Sequence, residues 1–301
     1  MSDRTPGIEE YRGSTPLWRS LSFGQRRRLK TAVRYGLLVV VAVGVFFPIF
    51  WMFNSALRPL QTLMPAGGSS PPIFTSQVTL ENYVHLFTET RFPVYLRNSL
   101  VITGGVVALT TTLATLGGYG LARLDIPKKK YFARGILFGY MFPAILLAIP
   151  MYILWSSIGM TNSFVGLILA ITSASLPFSL WLMWQFFQTV PYSLEESAMV
   201  AGASRFQAFV DVALPMAKPG IIAVSIFSFS IAWGDYTFAL VIMSDISLYP
   251  ITIGIERSFI PGQHTDWELL MAGSSIAVIP PLLFVFFLQK YFLRGFSPGG
   301  M

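Results

Sequence analysis

Residues 196–215 read ESAMVAGASRFQAFVDVALP, a polar stretch rich in small residues between two long apolar runs. Pro191, just upstream, lacks an N–H and disfavours helix in the residue before it, so it ends the preceding helix. Ser193 is placed to cap a new helix, with Glu196 three residues on completing a capping box and adding negative charge at the helix N-terminus. Leu194, Ala198, Ala201 and Arg205 fall on one helical stripe, and Met199, Gly202, Phe206 and Phe209 on another. Ser197, Ala198, Ala201, Gly202 and Ala203 are small enough to allow close approach by another surface. Gly202 can turn the chain between two short helices. Phe206 and Phe209 are expected to anchor the second helix, and Leu214–Pro215 to end the element. On these features alone, an ordinary amphipathic helix at the membrane surface fits equally well.

Composition gives this loop its setting. Of the 301 residues 53% are hydrophobic and 12% charged, and the mean hydropathy is +0.61. Soluble domains carry about 25% charged residues. So much apolar surface belongs in a lipid bilayer rather than in one soluble core. The net charge of +7 does not point to nucleic acid, because the basic residues sit at the ends of apolar runs. The chain has no cysteine, which excludes disulfides, thiol catalysis and Cys-ligated metals. His85 and His264 stand apart with no metal-ligand spacing, so no metal site is expected.

The expected fold is an all-α integral membrane protein with six spans, since a helix needs about 20 apolar residues to cross the hydrocarbon. The spans are read at about 35–57, 98–122, 135–155, 164–187, 219–243 and 269–289. Spans three and four share an uncharged stretch that Gly and small polar residues at 156–163 divide. Pro143 and Pro150 are expected to kink span three. Phe138, Met141, Phe142 and Met151 read as packing or lipid contacts. The tail 1–34 shows no secretory cleavage pattern, so the first span is expected to be retained. Its basic run at 25–30 is placed at the lipid headgroups. The outer loop near 58–97, with Pro65, Pro71, Pro72 and Pro93, is expected to be irregular or built of short helices. Seventeen of the 21 Lys and Arg residues fall on one side of this topology and four on the other, which puts both termini and the loop 191–218 in the cytoplasm.

Asp235 is the only acid well inside an apolar run, and such a group faces a wet cavity or a partner. Flanked by Trp233 and Tyr236, whose faces suit sugar rings, it either lines a translocation path or joins neighbouring helices. Asn98 and Ser99, at the start of the second span, read as helix caps.

Over residues 35–296 the chain resembles the inner-membrane permeases of ATP-binding cassette (ABC) importers for carbohydrates, in the branch of the second maltose-permease subunit. The resemblance rests first on Glu196, Ser197–Ala198, Gly202, Val212 and Leu214–Pro215, which are spaced as in the EAA loop of that family. It extends to Leu96-Arg97-Asn98-Ser99-Leu100, Tyr119-Gly120-Leu121-Ala122-Arg123-Leu124, Ile158-Gly159-Met160-Thr161-Asn162-Ser163, Ala232-Trp233-Gly234-Asp235-Tyr236 and Gln289-Lys290-Tyr291-Phe292. Ser197 stands where the family often has Ala, Ala201 where it often has Asp, and residues 297–301 replace its usual C-terminal tail.

The resemblance implies a coupling helix between spans four and five that docks on an ATPase, through Glu195, Glu196, Ser197, Ala198, Gly202, Ala203, Phe206, Leu214 and Pro215. It also implies a second, different permease subunit, two ATPase subunits that bind ATP and Mg, and an extracytoplasmic solute-binding protein, all at a bacterial inner membrane. The chain has no Gly-Lys pair and hence no phosphate-binding loop, so it is read as a transport subunit with no catalytic residues and no cofactor of its own. The expected cargo is a sugar or oligosaccharide moved by alternating access. Alternatives are a polyol or glycerol phosphate carried by the same architecture, or an ion-gradient-driven carrier, for which no inverted repeat is evident.

Overall fold

The computed structural model describes residues 23–63, 72–74, 77–260 and 265–295, with the backbone alone at 26, 130 and 288–295. The tail to residue 22, Pro65, Pro71, His264 and the tail 297–301 lie outside the described residues. Among the described residues there is no β-strand. In chain order the helices are α1 (Phe23–Ala56), α2 (Leu60–Leu63), α3 (Glu81–Thr88), α4 (Phe92–Arg123), α5 (Lys129–Tyr140), α6 (Ala144–Ser157), α7 (Phe164–Thr189), α8 (Tyr192–Val200), α9 (Arg205–Ala208), α10 (Leu214–Met216), α11 (Lys218–Trp233), α12 (Thr237–Ile242), α13 (Ile251–Phe259) and α14 (Trp267–Gly295). Four of them, α1, α4, α7 and α14, are long and apolar enough to cross a membrane. Up to six crossings result if each of two bent helix pairs counts as one.

The chain forms two compact units, Met1–Trp51 and Met52–Met301. In the first, α1 begins at Phe23, so the basic run at 25–30 is already helical. Its apolar side chains from Leu37 to Phe47 are exposed, as befits a helix solvated by lipid.

The second unit is built around the α4–α7 pair, which has the most extensive packing in the fold. The two helices meet along small residues, as membrane helices do when their backbones approach closely. Thr110 and Ser175, both fully buried, share a hydrogen bond of 3.0 Å across this seam. The helix α11 lies against both partners, and α14 packs on α11. The Phe229, Trp233 and Phe284 rings stack where α11 meets α14.

Two expected spans are interrupted. The third is two helices, α5 and α6, bent by 92° at a short break. Pro143 precedes the first residue of α6, and its missing N–H makes the break cheap there. Pro150, by contrast, sits inside α6 without breaking it. The fifth expected span is not continuous either. The helix α11 stops at Trp233, residues 234–236 are non-helical, and α12 resumes at Thr237.

The turn at 156–163 is closed by Ser163, whose Oγ accepts from Gly166 N at 3.1 Å and caps α7. Asn162 pins this turn to the end of α12: its Oδ1 accepts from Ser244 N and Asp245 N at 3.1 and 2.9 Å. In the loop after α1, Arg58 is fully buried and donates to the Pro72 and Ile73 carbonyls. Asn82 of α3 donates to the Ala56 and Arg58 carbonyls at 2.9 and 2.8 Å, tying that loop to α3.

Candidate functional site

The loop 191–218 folds as two short helices around a tight turn. The helix α8 starts at Tyr192 behind Pro191 and ends at Val200. No side chain caps its N-terminus, so the capping box expected of Ser193 and Glu196 does not form. The reason is register: with the helix starting at Tyr192, both residues already lie inside it. The end of α8 is a Schellman turn. Ala203 N bonds to Ala198 O and Gly202 N to Met199 O, both at 3.0 Å. Gly202 takes φ +100°, a conformation that L side chains rarely adopt. The two stripes anticipated across 194–209 therefore do not continue through one helix.

The capping box lies instead at the start of α9. Ser204 Oγ accepts from Gln207 N at 3.2 Å, and Gln207 Oε1 accepts from Ser204 N at 2.7 Å. A π-turn follows over Phe209–Ala213. The helical path then runs through Leu214 and Pro215 to Met216, and turns by 71° into α11. Leu214 and Pro215 thus lie in the last turn of this path, directly before the bend into α11.

The two aromatic residues of this segment part ways. Phe209 is buried against Tyr119, at 4.4 Å between ring centroids, and against Phe187. Phe206 is 72% exposed, because it lies on the outer side of the single turn of α9. The expected anchor is therefore Phe209 alone. Val200, at the tip of α8, is 89% exposed, and Ala201 and Gly202 beside it are exposed as well.

The two glutamates also differ. Glu196 and Ser197 face solvent, whereas Glu195 is 1% exposed. Glu195 Oε1 accepts from Arg123 Nε at 2.7 Å, and Oε2 accepts from the Tyr119 hydroxyl at 2.8 Å. The rest of the Arg123 guanidinium donates to Phe187 O and Val190 O at 3.1 and 2.9 Å. Phe187 O lies in the last turn of α7 and also takes the N–H of Val190 at 3.3 Å, and Val190 is the residue that caps the helix C-terminus. Tyr192 lies beneath the same guanidinium, 5.4 Å from ring centroid to Cζ. In the sequence Tyr119 and Arg123 stand out only as part of the Tyr119–Leu124 motif. Nothing local in it shows that they reach Glu195, some 70 positions on.

Trp233 ends α11, and Asp235 and Tyr236 lie in the break before α12. Trp233 and Tyr236 line an open, largely apolar cavity of about 510 Å³, together with Thr252, Ser274 and Pro281. Trp233 is mostly buried and donates through Nε1 to Ala277 O at 3.0 Å, while Tyr236 is exposed. Asp235 is not among the lining residues. Its carboxylate accepts from Phe238 N and Ala239 N at 3.4 and 3.0 Å and so caps α12. Its carbonyl accepts from Thr252 Oγ1 at 2.7 Å. The carboxylate is thus satisfied by backbone N–H groups of the neighbouring helix α12.

Asn98 and Ser99 lie well inside α4 and do not cap it. Asn98, fully buried, donates to Ser247 O and Tyr249 O at 2.9 and 3.0 Å. Ser99 Oγ accepts from Ile251 N at 2.7 Å and caps α13 from across the fold. His85 lies 3.3 Å from Glu89 on an exposed helix face. No group of acids and histidines among the described residues could hold a metal.

Known proteins share this architecture. Residues 94–298 match the family described as binding-protein-dependent transport system inner membrane component. The diacetylchitobiose uptake system permease protein DasC of Streptomyces coelicolor is 31% identical over 263 residues, covering 87% of this chain and 94% of that protein. The trehalose/maltose transport system permease protein MalG of Thermococcus litoralis is 28% identical, covering 87% and 94%. Among solved structures, a chain of a bacterial ABC transporter involved in import of the acidic polysaccharide alginate superposes with a TM-score of 0.78 at 19% identity, covering 91% of this chain and all of that one. A chain of a bacterial alginate ABC transporter in complex with its pentasaccharide-bound periplasmic protein gives 0.63 at 16% identity, covering 91% and 96%. With a family match across most of the helical unit and a relative similar over nearly its whole length, the chain belongs to the binding-protein-dependent transport system inner membrane components.

Proposed function

We propose that this chain is one of two permease subunits of an ATP-driven importer that moves a sugar or oligosaccharide across a bacterial inner membrane by alternating access. In this reading it crosses the membrane six times with both termini in the cytoplasm, and α5–α6 forms a bent third crossing. The single observation that carries the proposal is the exposed tip of α8. A short helix ends in a Schellman turn with Val200 almost wholly bare, while its base is keyed into α4 and α7 through Glu195. A rigid, small-residue knob of this kind is suited to seat in a cleft on another protein.

The occupant of that role is an ATPase subunit, two of which would serve the permease pair and bind ATP and Mg. Two observations support the cargo and the delivery route. Relatives are named for uptake of diacetylchitobiose and of trehalose or maltose, and a structural neighbour was solved with a periplasmic protein holding an oligosaccharide. Trp233 and Tyr236 are the residues of this chain proposed to face the cargo, with Asp235 as the cap that holds the break open beside them.

The test uses the absence of native cysteine. Val200→Cys in membranes that contain the whole complex is expected to crosslink to an ATP-hydrolysing partner, and the binding protein that copurifies would name the cargo. A permease that purifies with no ATPase and yields no crosslink would overturn the reading in favour of a gradient-driven carrier.

A further inference from the structure

The Arg123 cluster combines features that a merely space-filling contact would not need. The Arg123 side chain is 6% exposed and that of Glu195 1%. Burying such a pair gains little stability over apolar residues of the same volume, and its best-attested use is to specify geometry. The geometry here is specific. One planar fork from the last turn of α4 meets two carbonyls at the end of α7 and one carboxylate from the first turn of α8. Tyr119, one turn back on α4, holds the second carboxylate oxygen. The same Tyr119 ring packs on Phe187 of α7 and on Phe209 of the π-turn. Arg suits this position and Lys does not, because only a guanidinium offers several donors fixed in one plane. Pro191 removes the N–H that could have continued α7 into α8, so α8 has no helical link to α7. The side-chain network takes the place of that link.

We propose that Arg123 and Glu195 are positioning residues that join α8 to the ends of α4 and α7 as one rigid body. A displacement of the α8 tip is then delivered to both core helices together rather than absorbed in the hinge at Pro191. The delivery of ATP-driven motion rests on the docking role proposed above; the rigid joint does not.

The experiment measures the joint directly. Cysteines at Leu100, near the far end of α4, and at Ser197 on α8 carry spin labels in the full chain, embedded with its partner subunits in lipid nanodiscs. Leu100 lies about 35 Å along α4 from Arg123, a span suited to dipolar distance measurement. With Arg123 and Glu195 intact, a single narrow distance is expected, its width the same with and without Mg-ATP. Glu195→Gln is expected to widen the distribution at least two-fold and to make it respond to nucleotide. The double variant Arg123→Met, Glu195→Met removes both charges while filling the space, so it folds even where the single variant does not, and it is expected to widen the distribution equally. Glu195→Asp with a width between the two marks the polar contact as the cause. A double variant that keeps the narrow, nucleotide-independent distance would overturn the proposal. Failure of any ATPase to copurify with the otherwise wild-type chain would sink the docking role alone, since the widths measured without nucleotide still decide the joint.

Discussion

Gly118 of α4 lies so near Met183 of α7 that a Cβ added to it would fall 2.6 Å from the Met183 Cβ and 2.8 Å from the backbone N of Trp184. Neither neighbour is the free end of a flexible chain, so the helices themselves must move apart. Gly118→Ala is therefore expected to destabilise the permease by about 1–3 kcal/mol, the usual cost of overpacking. Gly104 on the same helix meets nothing within 4 Å. Gly104→Ala is expected to be neutral or slightly stabilising, since Ala is the better helix former by about 1 kcal/mol. Thermal unfolding of both variants in the same detergent checks the pair, and an equal loss in both would refute the close-packing argument.

The adjacent glutamates are expected to respond oppositely to removal. Glu195→Ala strands the Arg123 charge in a buried site, a change that costs about 3–5 kcal/mol. Glu196 faces solvent, so Glu196→Ala is expected to stay within about 0.5 kcal/mol of the parent. Melting temperatures of the two variants measure the difference. Equal values would mean that the buried pair is replaced by water on loss of the carboxylate.

Asn98 joins α4 to the segment before α13 through two carbonyls, those of Ser247 and Tyr249. Asn98→Ala leaves them unsatisfied, with an expected loss of about 1–3 kcal/mol. Ser99→Ala removes the cap from Ile251 N, at about 1 kcal/mol. Amide hydrogen exchange is expected to rise over residues 246–253 in both variants. Unchanged protection there would show that the segment is held by packing alone.

The break at 234–236 separates a structural residue from residues proposed to face cargo. Asp235→Ala removes the cap from Phe238 N and Ala239 N and is expected to loosen α12, at about 1 kcal/mol. Tyr236→Ala, at an exposed position on the cavity wall, is expected to leave stability unchanged and to lower sugar uptake by the reconstituted complex. The reverse pattern would place Asp235 on the path and Tyr236 in the packing.

What the sequence determined by itself is what depends on near neighbours. Long uncharged runs demand lipid wherever they fold, and they place α1, α4, α7 and α14. Ser163 caps α7 from three residues away, and Gly202 turns the chain where a side chain would be strained. The order and spacing of Glu196, Gly202, Val212 and Leu214–Pro215, joined by further motifs along the chain, carried the resemblance to the family. Tertiary structure decided what depends on distant partners. Glu195 and Glu196 are chemically alike, and only the arrival of Tyr119 and Arg123 makes the first buried and the second exposed. Asn98 and Ser99 look like caps for their own helix, yet they serve groups about 150 positions away. The fifth apolar run looks continuous, but its helix stops where Thr252 takes the Asp235 carbonyl and the Asp235 carboxylate takes the N–H groups of a new helix. Hydropathy and capping are settled within a few residues of chain, whereas a buried polar group is defined by whichever donor or acceptor the packed helices bring to it.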